Sequence, residues 1–323
     1  MISSLDDRYA AYYTEEEYEE ISAVNEGKYV GIGCSISLDS ETGVVTLIQP
    51  YEGGPADKAG IQTGDVLVAV GDENIAGLEL SEVVALVKGE EHTDVTLTVM
   101  RESSEEPIEL VVTREEVETK TISYKMLDDG IGYLAISGFK ESTKEQFSQA
   151  LDALKNMDMK GLILDVRDNG GGSLDTVVNI ADKLLPEGLI VYTRDKYDKG
   201  EDYESTDKEY LDLPMVLLVN ENSASASEVL AGALRDHEAA TLVGTKTFGK
   251  GIVQSIFDLD DGSALKLTTS KYYTPNGDNI HEVGIEPDIV VELDEEYKKK
   301  EEPTMEDDNQ LQVAIECMEK KIK

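Results

Sequence analysis

Ser223-Ala-Ser-Ala-Ser-Glu228, followed downstream by Thr247-Phe-Gly-Lys-Gly-Ile-Val-Gln254, decides how this chain reads. The pair of segments supplies a hydroxyl, an amine and an amide at spacings that one fold could bring together. Apolar residues at Val229, Leu230, Ala233 and Leu234 predict a helix over Ser227–His237, which puts Ser225 at the helix entrance. Unpaired N–H groups and the positive dipole end favour negative charge there. The run Gly249–Phe257 is β-prone, so Lys250, Ile252 and Gln254 are expected on one strand face. A lysine can accept a proton only when its pKa falls from about 10.4 towards neutrality. The uncharged neighbours Phe248, Gly249, Gly251, Ile252 and Val253 suit such desolvation.

Taken singly, each feature has a plainer reading. A serine before a helix is usually an N-cap, and a lone lysine in a glycine-flanked strand is usually an edge charge. Together, and in this order, they resemble the motif of the carboxyl-terminal processing proteases, the tail-specific serine peptidases of family S41. The resemblance extends over Ile131–Phe139, Gly161–Gly172, Leu265–Gly277 and Gly284–Asp288. It implies Ser225 as nucleophile, Lys250 as general base and Gln254 as the residue that positions the lysine. It further implies an oxyanion hole from the N–H groups of Gly171 and Ala226. The glycine run after Leu162–Asp165 would also serve as a strand-to-helix turn, with Ser173 capping a helix from Leu174 to Leu185. One departure is Gly170, where the family usually has proline; the loss of a fixed φ loosens the turn.

Upstream, Tyr29–Gly33 precedes the alternating strand Cys34–Ser37, and Gly53–Asp65 leads into Val66–Val70. These stretches resemble a PDZ domain of the type found in bacterial proteases. In such a module Gly31, Ile32 and Gly33 would hold a terminal carboxylate on successive N–H groups, while an exposed strand edge takes up the peptide tail. A helix around Ser81–Val87 would wall the groove. The resulting division is an N-terminal helical segment over 1–27, a PDZ domain over 28–114, a protease core over 115–293, and a charged linker with a C-terminal helix over 294–323. The fold class is α/β, with the PDZ module inserted before or within a crotonase/ClpP-like core built on a curled mixed sheet.

The 323 residues carry 29 basic and 68 acidic side chains, a net charge of −39. That balance argues against nucleic acid and against docking on an anionic membrane. Two cysteines, Cys34 and Cys317, do not make a disulfide framework, and three histidines show no metal-ligand spacing. No metal or other cofactor is expected. His281, near a family block, is a loop histidine that could act as an alternative base. No signal peptide or membrane span is legible in the sequence. The resemblance nevertheless implies an extracytoplasmic, membrane-tethered protein whose chain begins partway into a longer one. Expected partners are protein substrates with free apolar C-termini, with self-association through the terminal helices. Two other classes fit parts of the sequence: a catalytically inactive PDZ-containing binding protein, and a crotonase-like acyl-CoA enzyme, for which a PDZ module has no evident use.

Overall fold

The computed structural model describes residues 5, 7–39, 42–206, 209–300 and 303–323. Met1–Ser4 and Asp6, part of the expected N-terminal helical segment, lie outside the described residues. The chain divides into two compact units: residues 28–119, and residues 1–27 joined to 120–323. The first unit is thus an insertion in the second. Its limit falls at Thr119 because the strand Glu115–Glu118 pairs antiparallel with Lys28–Gly31.

The larger unit is built on a six-stranded sheet in the order Ile122–Met126, Ile131–Ile136, Gly161–Asp165, Met215–Val219, Ala240–Gly244 and Ile289–Val290. The first pair is antiparallel and the rest are parallel. Gly161–Asp165 and Met215–Val219 are buried throughout, as expected of parallel strands covered on both faces. Alternation assigns their side chains. Leu162, Leu164, Leu217 and Val219 pack under Phe147, Leu151, Val177, Ile180, Leu230 and Leu234 of the helices Thr143–Asn156, Leu174–Asp182 and Ala226–Asp236. Ile163, Val216 and Leu218 point the other way, onto Leu311, Ala314 and Met318 of the helix Asn309–Ile322. The apolar stripe of that C-terminal helix is therefore covered within its own unit.

A second sheet joins Ala11–Tyr13, Ala264–Tyr273, Gly188–Arg194 and Asp202–Ser205, with Ile252–Asp258 hydrogen-bonded to Ala264–Tyr273. The N-terminal helix Glu15–Glu26 starts at a capping box between Thr14 and Glu17 and stops at Gly27, whose φ of 81° only glycine adopts freely.

The inserted unit is an antiparallel sheet in the order Cys34–Leu38, Val45–Pro50, Asp65–Val70, Asp94–Met100 and Ile108–Thr113, with Glu73–Asn74 on Asp65–Val70. Glu102–Pro107 connects the last two long strands, as the sequence suggests. Val83 and Val87 of the helix Leu80–Val87 enter its core with Leu47, Leu67 and Leu97. Arg101 binds the buried Asp65 carboxylate through two bonds of 2.7 Å.

In the larger unit a buried ionic network fastens the C-terminal helix to the sheet. Arg167 Nη2 lies 2.7 Å from both Asp165 and Asp308. Burial alone would lower the guanidinium pKa, but the two carboxylates hold it above its ordinary value. Asp308 also caps the helix by accepting the Leu311 N–H at 3.0 Å. Asp308→Ala should cost about 3–5 kcal/mol, since it leaves a buried cation half-paired and removes a cap. Urea denaturation measures this; a loss below about 1 kcal/mol would show that the network does not anchor the helix.

Candidate active site

The site forms where two adjacent parallel strands end. Gly161–Asp165 runs into the loop Val166–Ser173, and Met215–Val219 runs into Asn220–Ser225. In open α/β sheets the crevice beyond the carboxyl ends of the strands is where ligands bind. Side chains stitch the two loops together. The Asn220 and Asn222 amides donate to Asp168 at 2.9 and 2.7 Å, and the Ser223 hydroxyl donates to the Val166 carbonyl at 2.7 Å. The Asn169 carbonyl accepts the Ala224 N–H and the Ser227 hydroxyl, and its side-chain amide donates to the Ile136 carbonyl.

That stitching presses the glycine run against Ser225. Gly171 has φ 104°, and a β-carbon there would come within 2.8 Å of the Ala224 carbonyl and 2.9 Å of Ser225 Cβ. No other residue fits. Ser225 itself sits at φ 56°, ψ −112°, a conformation that costs a non-glycine residue about 1–3 kcal/mol. Such a sharp turn projects the serine from the helix entrance, and the helix Ala226–Asp236 begins at the next residue.

What holds this turn is Glu228, which is 0% exposed. Its Oε2 accepts the N–H groups of Ser225 at 2.9 Å and Lys250 at 2.8 Å. Its Oε1 accepts the Gly249 N–H at 2.7 Å and the Thr247 hydroxyl at 2.6 Å. One buried carboxylate thus binds the serine turn and the lysine loop together. Tyr272 reinforces the second half: its hydroxyl donates to the Lys250 carbonyl and its N–H to the Gly251 carbonyl. Burial and the Glu228 charge keep the Tyr272 phenol well above its ordinary pKa, so it stays a donor, and the Ser225 hydroxyl lies beside it.

Ser225, Ala226 and Gln254 line one cavity of about 210 Å³, whose walls include Leu174, Val229, Ile252, Val253 and Tyr272. Lys250 is half-buried, and its side chain points to Tyr9, with Nζ 4.9 Å from the ring centroid. Its pKa is lowered, first by desolvation and then by the positive charges of Lys266 and Arg8. Among the described residues no hydrogen bond joins Lys250 Nζ to Ser225 or to Gln254, and Gln254 Nε2 is buried without a partner.

Three local expectations change. Lys250 precedes the strand, which starts at Ile252, and the consecutive residues Ile252, Val253 and Gln254 all line the cavity, so strict alternation does not set the face. Phe248 is 56% exposed, and the ring that lies against the lysine is that of Tyr9, distant in sequence. The Gly171 N–H donates to Asn169 Oδ1 at 2.9 Å, so it is already engaged in this arrangement. Ala226 N–H, at the first helical position, has no intrahelical acceptor. His281 packs its backbone against Gly251, and among the described residues its buried Nδ1 has no hydrogen-bond partner.

In the inserted unit, Gly31 ends the strand Lys28–Gly31, Ile32 is buried, and Gly33 takes φ 66°. The Ile32 and Gly33 carbonyls accept from Ala56 and Tyr51, while among the described residues their own N–H groups donate to no backbone carbonyl. Among the described residues, the neighbouring strand Cys34–Leu38 pairs on one side only, with Val45–Pro50.

Residues 130–291 match the model of peptidase family S41, and residues 47–101 match that of a PDZ domain. The chain is 36% identical over 296 residues to a carboxyl-terminal-processing protease of Synechocystis sp., covering 90% of this chain and 69% of the relative. It is 38% identical over 311 residues to the carboxy-terminal-processing protease of Bartonella bacilliformis, covering 92% and 70%. Among solved structures it is similar to the photosystem II D1 C-terminal processing protease, with TM-score 0.56, 31% identity and coverage of 90% of this chain and 80% of that one. The chain belongs to peptidase family S41, the C-terminal processing serine proteases, and carries a PDZ domain. It is a serine-type peptidase.

Glu228 is the residue that sequence reasoning passed over. An acidic residue three positions into a helix reads as a capping-box partner, and nothing local shows that its other oxygen reaches residues 247 and 249. Glu228→Gln should lower kcat more than it raises KM and reduce kcat by at least about tenfold, because an amide turns a donor towards N–H groups that need an acceptor. Steady-state kinetics on a peptide substrate checks this; unchanged kcat would show that the carboxylate only supports the fold.

Proposed function

We propose that the chain is an endopeptidase that cuts proteins recognised by their C-terminal tail, with Ser225 as nucleophile and Lys250 as general base. The observation that carries the reading is the shared grip of Glu228 on the strained Ser225 turn and on the loop that bears Lys250. The depressed pKa of Lys250 supports the same role, since a neutral amine is needed to take the serine proton.

In this mechanism Lys250 Nζ accepts the proton from Ser225 Oγ as Oγ attacks the scissile carbonyl. The lysine ammonium then protonates the leaving amine, and water hydrolyses the acyl-enzyme by the reverse proton route. The Ala226 N–H at the helix entrance stabilises the oxyanion, and Gly171 joins it once its bond to Asn169 is exchanged. Gln254 orients the lysine, and the apolar walls Leu174, Val229, Ile252 and Val253 receive a side chain next to the scissile bond. In the PDZ domain, the N–H groups at Gly31, Ile32 and Gly33 bind the terminal carboxylate while the tail adds to the open edge of Cys34–Leu38. The expected setting is extracytoplasmic. Among the described residues no helix is long and apolar enough to cross a membrane.

Ser225→Ala and Lys250→Ala should each abolish cleavage of an unfolded reporter protein. Lys250→Arg should fail as well, because a guanidinium stays protonated. Cleavage by the arginine variant would remove Lys250 from the mechanism and make His281 the next base to test. The pH dependence has a definite sign. Desolvation, Lys266 and Arg8 all favour the neutral amine, so activity should rise with pH and level off below the ordinary lysine range. Lys266→Ala removes one repulsive charge and should move that rise to higher pH, as read from kcat/KM profiles. For the tail, amidation of the substrate's C-terminal carboxylate should slow cleavage at least about tenfold, as expected for loss of a charge-assisted contact; equal rates would sink carboxylate recognition.

A further inference from the structure

Among the described residues no hydrogen bond joins the Lys250 amine to Ser225 or Gln254, and a ring contact of that amine lies on the N-terminal segment. Its ammonium lies over the Tyr9 ring, 4.9 Å from the centroid, and the Arg8 guanidinium is 4.7 Å from the same ring. Gln254 Nε2, the group expected to orient the lysine, is buried with no hydrogen-bond partner among the described residues.

Tyr9 is carried there by a strap fixed at both ends to one strand, Ala264–Tyr273. On one side the Asp7 carboxylate accepts the Tyr9 N–H at 2.9 Å and the Thr268 N–H at 3.0 Å. On the other side Ala11–Tyr13 pairs antiparallel with Lys266–Ala264. Lys266 Nζ in turn lies 5.4 Å from the Tyr13 ring centroid. The same strand supplies Tyr272, whose hydroxyl holds the Lys250 carbonyl. The strap and the lysine loop are therefore referenced to one strand.

We propose that Tyr9 is a positioning residue for Lys250: its ring face seats the protonated ε-ammonium off the Ser225 hydroxyl, and the lysine leaves this seat to act as base. The inference rests on the Ser–Lys reading above and adds a resting state to it. A ring face attracts an ammonium and not a neutral amine, so the seat favours the proton-bearing form. The other groups around Lys250 differ in effect. Arg8 and Lys266 repel the charge, the Glu228 carboxylate accepts the Lys250 N–H, and the Tyr272 phenol stays neutral through burial. Asp7 holds the strap by its backbone bonds. Tyr9 thus opposes the desolvation that lowers the lysine pKa.

Tyr9→Leu keeps apolar bulk and removes the ring face. The acid limb of its kcat/KM profile should move about 0.5–1.5 units to lower pH, the span that cation–π energies convert to, with a gain of about 3- to 30-fold on that limb. Titration of the Lys250 ε-carbon by NMR should shift by the same amount and does not depend on turnover. Tyr9→Phe retains the face and should restore the wild-type limb. Asp7→Asn, which loosens the strap and leaves the ring, should move the limb in the same direction by less. Coincident limbs for wild type and both Tyr9→Leu and Asp7→Asn, a phenylalanine variant that shifts as far as leucine, or a uniform loss of kcat with no shift would each overturn the proposal. Lys250→Ala separates the two levels: its activity would end the Ser–Lys reading, whereas inactive Lys250→Ala with an unshifted Tyr9→Leu ends only the role of Tyr9.

Discussion

The site depends on one carboxylate that water never reaches. Glu228 accepts from Ser225, Thr247, Gly249 and Lys250, and so joins a helix entrance to a loop more than twenty residues downstream. A buried anion is tolerable only when its oxygens are fully matched by donors, and here three of the four are backbone N–H groups held by secondary structure. The matching works in both directions. The serine turn and the lysine loop stay in place because each satisfies part of the same charge, and neither could relax without leaving the carboxylate short of a partner.

The same carboxylate explains how a strained serine persists. Ser225 at φ 56° would fall back to an ordinary helix entrance if nothing held its N–H, and Gly171 closes the opposite side, where any β-carbon would meet Ala224 and Ser225. Asn169 completes the clamp by bonding to the Ile136 carbonyl on one side and to Ala224 and Ser227 on the other. Conformational energy is stored at a residue that lines the cavity. The hydrogen bonds of Glu228 and Asn169 to the backbone around Ser225 hold it there.

The sequence made legible what is periodic or local. The buried strands Gly161–Asp165 and Met215–Val219, the helix entrance at Ser225, the Gly53–Asp65 turn of the inserted module and the Glu102–Pro107 connection all carry their signal within a few residues. Lys250 and Ser225 were named from type and order. What remained hidden lies between segments far apart in the chain. Tyr9 and Lys250 are 241 positions apart in the numbering, and no pattern near either one announces the contact. Glu228 was in the quoted motif, but its second oxygen serves a loop that local spacing cannot reach. Asn169 capturing the Gly171 N–H is a side-chain choice that a glycine run leaves undetermined. Terminal helices drew an expectation of self-association because amphipathicity says that a face is covered without saying by what, and for Asn309–Ile322 the cover is the chain's own sheet.

Opposed influences on one amine connect these observations. Burial, with Lys266 and Arg8 nearby, pushes Lys250 towards the neutral form. In the proposed resting state the Tyr9 ring, which lies under the Lys250 ammonium, pulls the other way. Influences of opposite sign make a pKa sensitive to the position of a single side chain. Main-chain bonds from Glu228 and Tyr272 fix the lysine backbone on both its N–H and its carbonyl. The loop therefore need not move for the site to change state. On the proposed Ser–Lys reading, a side-chain rotation from the ring to the serine would exchange a contact that favours the ammonium for one that uses the free amine, so position and protonation would change together.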